Sequence, residues 1–279
     1  MLFSDARLYQ ILFLSLFLGV GIVARDWSLH PLMIGALIAT CCCVQWIAAI
    51  QVSAPFIKSL PSALVTSLGL SLLLRADHVG TLMLAGTLAI LSKFCLRVQD
   101  KHIFNPGNFG IVAVLTLTQD AWVSPGQWGE EGWYVLLFLS AGGLVLGRIG
   151  RWDTSVAFLA SYAGLEAVRN LWLGWTWDVW AHRMMSGSLL VFALFMITDP
   201  RTVPNARIAR IIWAGAIALL TFYLRNFWFI STAPFWALFS LAPLTILLDR
   251  MFSGDRFIWH QDALELSEVD MTDELLPVP

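Results

Sequence analysis

Lys101-His102-Ile103-Phe104-Asn105-Pro106-Gly107-Asn108-Phe109-Gly110 opens an apolar run that reaches Thr118. Asn is a preferred helix cap, and Pro suits the first helical position because the N–H it lacks would have no partner there. The stretch therefore reads as a helix that begins at Asn105 and runs into the membrane. Its open N–H groups and positive dipole end favour an anion or the polar edge of a ring. Gly107 and Gly110 let a flat ligand, or another helix, come close. A plain, tightly packed helix start would use the same residues. Asn108 argues for more, because an amide one turn into an apolar helix needs a partner.

Outward from this stretch the chain is apolar nearly throughout. Of its 279 residues 58% are hydrophobic and 13% charged, against ~45–50% and ~25% in a soluble domain. So few charges cannot cover so much apolar surface in water. That excludes a soluble enzyme, a disordered chain and a nucleic-acid binder, and makes the lipid bilayer the first partner. Apolar runs bounded by charge or turn residues fall at about 8–24, 30–50, 61–74, 79–96, 103–118, 132–150, 154–175, 184–198, 211–227 and 228–248. The fold class is thus an all-α polytopic membrane protein of about ten transmembrane helices, with several runs short of the ~20 residues of a full span. With the N-terminus in the cytoplasm, alternating spans put twelve of the 17 basic residues inside and five outside. The positive-inside rule then favours a bacterial cytoplasmic (inner) membrane protein with both termini cytoplasmic.

The two halves echo each other. Ser62-Ala63-Leu64 opens a short run closed by Arg75-Ala76-Asp77, and Ser186-Gly187-Ser188 opens another closed by Thr198-Asp199-Pro200, 124 residues later. Pro106 is matched by Pro234 of Ser231-Thr232-Ala233-Pro234, at an offset of 128. Five spans separate the copies, so they run in opposite directions: two inverted five-helix repeats, about 1–125 and 126–250, followed by a tail, 251–279. Interrupted segments at matching positions point to a midplane site built from broken helices.

Phe195-Met196-Ile197-Thr198-Asp199-Pro200-Arg201 is the second candidate. Asp199 can cap the following turn, pair with Arg201 or meet a cation, and an ionisable group at membrane depth is a functional candidate. Glu166 and Arg169 are spaced for an ion pair within the seventh span. Trp172, Trp175, Trp177 and Trp180 suit an interfacial belt, and Gly143 and Gly147 suit close helix packing. Cys41, Cys42 and Cys43 are consecutive and cannot form one metal cage. From Gln261 to Pro279 the tail has six carboxylates and no Lys or Arg, which suits a solvated extension or a docking element. No triad, P-loop, metal cluster or Rossmann fingerprint is present, so no catalytic residue is assigned.

Three blocks resemble the RnfD/NqrB family of membrane subunits, found in the Rnf complex and the sodium-pumping NADH:quinone oxidoreductase. They are Leu60-Pro61-Ser62-Ala63-Leu64, the Lys101–Gly110 stretch and Met196-Ile197-Thr198-Asp199-Pro200; Ala242-Pro243-Leu244 also fits. The resemblance implies two inverted five-helix repeats, similar to urea transporters, and flavin. Many members hold FMN on a Thr of a Ser/Thr-x-Ala-Thr motif between spans five and six. Loop 119–131 of this chain contains no Thr, and its one Ala-Thr pair, Ala39-Thr40, lies in span two. Covalent FMN is therefore not expected, and the chain looks like the short, stand-alone members. The function expected is an electron-transport subunit, itself without catalytic residues, with redox partner subunits. It would bind FMN or riboflavin, or a quinone-type ring, noncovalently through Asn105, Pro106, Asn108, Phe109, Gly110, Thr198 and Asp199. Asn amides would bond ring edges, Phe109 would stack, and Asp199 would set local charge. A small-solute channel with the same cavity and a membrane anchor or assembly protein are the alternatives.

Overall fold

The computed structural model describes residues 5–25, 30–52, 56–99, 101–124 and 132–257. The acidic stretch 261–279 and the loop residues 125–131 lie outside them. The helices are α1 (Ala6–Arg25), α2 (Pro31–Gln51), α3 (Phe56–Leu73), α4 (Val79–Cys95), α5 (Pro106–Leu117), α6 (Gly132–Ile149), α7 (Trp152–Trp172), α8 (Trp177–Met184), α9 (Gly187–Val191), α10 (Arg207–Phe227), α11 (Ala233–Leu241) and α12 (Leu244–Met251), with a π-helical turn at Phe192–Met196. By length and composition α1, α2, α3 and α10 can each cross a membrane, and α4, α5, most of α6 and the Gly187–Met196 segment are shorter apolar helices. The chain is a polytopic membrane protein. Many of its outer residues are large and apolar, among them Leu12, Ile47, Ile57, Leu136, Val156, Ile212 and Leu219, the surface that lipid rather than water would cover.

Helix boundaries follow local chemistry. α2 and α5 start with Pro at the first turn, after His30 and Asn105. The last apolar run is two helices rather than one, because Pro243 has no N–H to continue α11. The carbonyl of Leu241 freed at that break accepts a hydrogen bond from Trp213 Nε1 at 2.8 Å. The π-helical turn likewise frees the Ala193 carbonyl, which takes the Ser155 hydroxyl of α7 at 2.6 Å.

An all-helical reading needs one amendment. The ends of α3 and α5 are joined by two short antiparallel strands, β1 (Leu74–Ala76) and β4 (Ala121–Val123), with Arg75 opposite Trp122. Asp120 reinforces the joint, accepting from the backbone of His78 and from Thr81 Oγ1. A second pair, β2 (Arg97–Val98) with β3 (Lys101–His102), turns the chain between α4 and α5. Helices that stop short leave polar backbone groups that lipid cannot satisfy, and these strands satisfy them.

α4 packs on α2 and α5, α7 packs on α10, and α10 packs on α11. The core is aromatic around the π-helical turn. Phe195 meets Phe17 (centroids 5.8 Å), which lies 4.2 Å from Phe138 of α6; Phe192 meets Phe158 at 5.2 Å and Phe235 at 5.5 Å. The α7–α10 pair is pinned near both ends. Asp153 takes two bonds from Arg210 Nε at 3.1 Å and one from Nη2 at 2.6 Å. Glu166 accepts from Arg183 and from Asn226, both at 2.8 Å. Arg183, from the turn of helix α8, thus replaces Arg169 as the partner expected from spacing, and the Arg169 guanidinium lies over the Trp175 ring.

The glycines divide sharply. A methyl at Gly110 would sit 2.6 Å from the Ala85 carbonyl oxygen and 2.9 Å from Ala89 Cβ, whereas Gly143 and Gly147 face open space and Gly142 makes the intrachain contact, against Leu194. Overpacking of this kind costs ~1–3 kcal/mol. Gly110→Ala is expected to lower the melting temperature in detergent, and Gly143→Ala to leave it unchanged or raise it. Equal melting of the two variants would contradict the close α4–α5 contact.

Candidate functional site

Asn105 caps α5 and bridges to the other half of the chain. Its Oδ1 accepts from the Asn108 N–H at 3.0 Å, and its Nδ2 donates to the Met196 carbonyl at 3.1 Å and to Asp199 Oδ2 at 3.3 Å. The cap expected from sequence is present, and the amide does a second task. Asp199 Oδ1 meanwhile accepts the Arg201 N–H at 3.1 Å, so it turns the backbone after Thr198 as its position suggested. Pro106 has no N–H and that of Asn108 is taken, which leaves the Gly107 N–H open at the positive end of α5.

A cleft of about 90 Å³ lies at this junction. Its polar lining is Arg7 and Gln10 of α1, Ser62 and Thr66 of α3, Asn105 and Asp199; Leu14, Phe195 and Met196 give it apolar walls. Arg7 is buried, held by Asp5 at 2.6 Å, and donates to the Lys58 carbonyl at 3.2 Å. Directly behind Ser62 stands Lys93 of α4, 5% exposed. Its ammonium donates to the Ser62 carbonyl and hydroxyl, both at 3.2 Å. Among the described residues it has no carboxylate in contact, though Asp199 and Arg7 are near enough to act on its charge. A buried cation held by neutral oxygens is costly, and here it projects positive potential on the cleft.

The structure gathers Asn105, Pro106 and Asp199 on the cleft and places Asn108, Phe109, Gly110 and Thr198 off its lining. Asn108 is buried and donates through Nδ2 to the Phe235 carbonyl of α11 at 3.1 Å, while its Oδ1 has no partner among the described residues. Phe109 packs at a tilt against Phe104 and Phe239, with centroids at 5.5 and 6.0 Å. Gly110 serves the contact with α4, and Thr198 Oγ1 donates to the Leu194 carbonyl at 2.9 Å. Sequence reading missed Arg7, Gln10, Ser62 and Thr66 as lining residues, and Lys93 behind them. The available signal was Lys93 itself, a charge within the apolar run 79–96.

A second cleft, about 100 Å³, is lined by Ser124, Ser186, Ser188, Arg225, Thr232 and Pro234, among others. Ser186 and Pro234 are the residues whose sequence surroundings echo those of Ser62 and Pro106. The Asn108–Phe235 bond joins the helices that contribute to the two clefts.

Fold and clefts together define a helical membrane protein with polar, charged sites where short helices begin. The chain belongs to the NQR2, RnfD, RnfE family, whose model matches residues 116–257, just over half of it. It is similar to an ion-translocating oxidoreductase complex subunit of Stutzerimonas stutzeri, 30% identical over 128 residues that cover 46% of this chain and 36% of that one. The corresponding protein of Actinobacillus pleuropneumoniae serotype 5b is 30% identical over 104 residues, 37% and 30% of the two chains. That of Halorhodospira halophila is 27% identical over 127 residues, 46% and 35%. The chain spans about a third of the length of these relatives.

Burial pushes the Asp199 carboxyl above the ordinary carboxylate range, against the opposing pull of the Arg201 N–H, the Arg201 and Lys93 charges and Asn105. A carboxyl that binds its proton more tightly when folded lowers stability as pH climbs past the unfolded value, ~4. Asp199→Asn is expected to melt above the parent near neutral pH, with the gap closing as pH falls toward that value. A gap that is reversed, or that does not change with pH, would show the carboxylate to be fully compensated.

Proposed function

We propose that this chain is an electron-transport-type membrane subunit that holds FMN, riboflavin or a quinone-type ring noncovalently in the first cleft. The observation that carries this reading is the set of groups meeting there: an open N–H at the start of α5, the Asn105 amide, Asp199, and the fixed Lys93 charge behind Ser62. Planar redox rings present carbonyl and imide edges that take such donors and acceptors, and they gain negative charge on reduction. The space holds several waters at ~10–15 Å³ each, so a tricyclic ring enters by its polar edge. When bound, the ring supplies the electron chemistry. The chain's part is to hold that edge, shed water from it and set the potential around it. Covalent FMN does not fit, because loop 119–131 offers no Thr.

In this reading the two halves are inverted repeats of five spans each. Two features support it: Ser62 with Pro106, and Ser186 with Pro234, line separate clefts, and α2 packs on α4 as α7 packs on α10. The bias of basic residues puts the Asn105 end of α5 toward the bacterial cytoplasm, with both termini on that side. The relatives' membership of an ion-translocating oxidoreductase complex suggests redox partner subunits and coupling to an ion. Asp199 is the carboxylate that an entering cation would meet.

A small-solute channel is the second reading, favoured by two clefts whose linings adjoin, Leu73 of the first accepting from the Ser124 N–H of the second at 2.8 Å. Purified protein separates the two. The redox reading expects flavin absorption bands that bleach on reduction, or saturable quenching of added riboflavin. A colourless protein that binds no flavin or quinone and passes a neutral solute in liposomes would replace it with the channel.

Lys93→Met keeps the volume and removes the charge. It is expected to leave melting unchanged or higher, and to weaken riboflavin binding by about tenfold or more, some 1.4 kcal/mol. Unchanged binding would remove Lys93 from the site.

A further inference from the structure

A third cavity, larger than either cleft, lies apart from both. About 230 Å³ in volume, it lies between the β2–β3 turn, Asn205 and α12, and is lined by Lys101, His102, Asn205, Asp249, Arg250 and Arg256 with Val98, Ile103 and Ile246. Its charges do not cancel. Asp249 is already engaged, by the Lys101 ammonium and by the Asn205 N–H at 2.7 Å. Arg250 and Arg256 have no ion pair among the described residues.

Three further observations bear on its ligand. Arg151, close enough to act on both Lys101 and Asp249, has a buried Nε with no hydrogen-bond partner among the described residues. His102 is 8% exposed, and its Nδ1 also has no partner there. Burial, with Arg201, Lys93 and Arg97 nearby, pushes this imidazole down to about 3 despite a hydrogen bond to the Lys93 backbone, so the open Nδ1 of the neutral ring is an acceptor, suited to a headgroup hydroxyl rather than to phosphate oxygens. Burial also pushes the Lys101 ammonium down despite Asp249, with smaller pushes in the same direction from Arg151 and Arg256. The site is built: a methyl at Gly254 would sit 2.7 Å from the Ala206 nitrogen, so the segment leading to Arg256 lies tight against the Asn205–Ala206 turn.

The cavity also adjoins an apolar surface. On α12, Leu244, Leu247 and Met251 are exposed beside Arg250. Cations over a polar cavity with apolar side chains alongside suit one molecule with both characters. We infer that this cavity binds the phosphate group of an anionic phospholipid, with Arg250 and Arg256 on the phosphate and the acyl chains along α12.

The test uses the full chain in detergent, delipidated, and titrated with phosphatidylglycerol, phosphatidylcholine or inorganic phosphate. Native mass spectrometry counts retained lipid, and melting temperature reports occupancy. Phosphatidylglycerol is expected to be retained at one site and to raise melting, and phosphatidylcholine to do neither. Arg250→Gln with Arg256→Gln, both exposed positions, is expected to keep the parent's lipid-free melting and lose phosphatidylglycerol affinity by tenfold or more. Arg250→Lys with Arg256→Lys is expected to retain most of it. Equal effects of the two lipids, or unchanged binding in the Gln pair, would overturn the proposal. So would full protection by inorganic phosphate alone, which would assign the cavity to a soluble ligand. Lipid binding seen only after removal of residues 261–279 would assign it to the acidic tail.

Discussion

A helix that ends inside a bilayer leaves N–H and C=O groups that lipid cannot satisfy, and much of this structure answers that constraint. The Asn105 side chain occupies the start of α5. Asn108 reaches from one interrupted helix to the carbonyl of Phe235 in another. Ser155 takes the carbonyl freed by the π-helical turn, Trp213 the one freed before Pro243, and strands β1 and β4 finish α3 and α5. The cleft exists because of these endings, since continuous helices would have packed it shut. Of the groups that repair these endings, Asn105 also lines the first cleft.

Buried charge follows a different logic at each place. Asp153 with Arg210, and Glu166 with Arg183 and Asn226, are closed sets that satisfy each other. They fix α7 against α10 and have little left to offer a ligand. Lys93 is different: its hydrogen bonds go to neutral oxygens of Ser62, and its charge is left to act on its surroundings. Groups held at an energetic cost without a full counter-charge are where function is commonly found.

How much of this could be read in the residues varied with distance along the chain. The cap at Asn105, the helix start at Pro106 and the turn made by Asp199 depend on neighbours within three or four positions, and the sequence declares them. The membrane class follows from composition alone. The strands were not legible, because two or three residues show no periodicity. The partner of Glu166 was misjudged because spacing suggests Arg169, one turn away, while the structure brings Arg183 across from another helix. Phe109 was expected at a ring and instead joins Phe104 and Phe239; which face of an apolar helix looks inward is decided by packing that no local pattern records. The lining from Arg7 to Thr66 was hidden for the same reason, coming from two helices far from the motif.

The β1–β4 joint has a mechanical consequence. With their far ends stitched together, α3 and α5 cannot splay apart, so their near ends act as one fixed jaw. The opposite jaw is the Val191–Pro200 segment, whose backbone is already loosened from regular winding at Phe192–Met196. Widening of the pocket on that side would have to break the ring contacts of Phe195 with Phe17 and of Phe192 with Phe158 and Phe235.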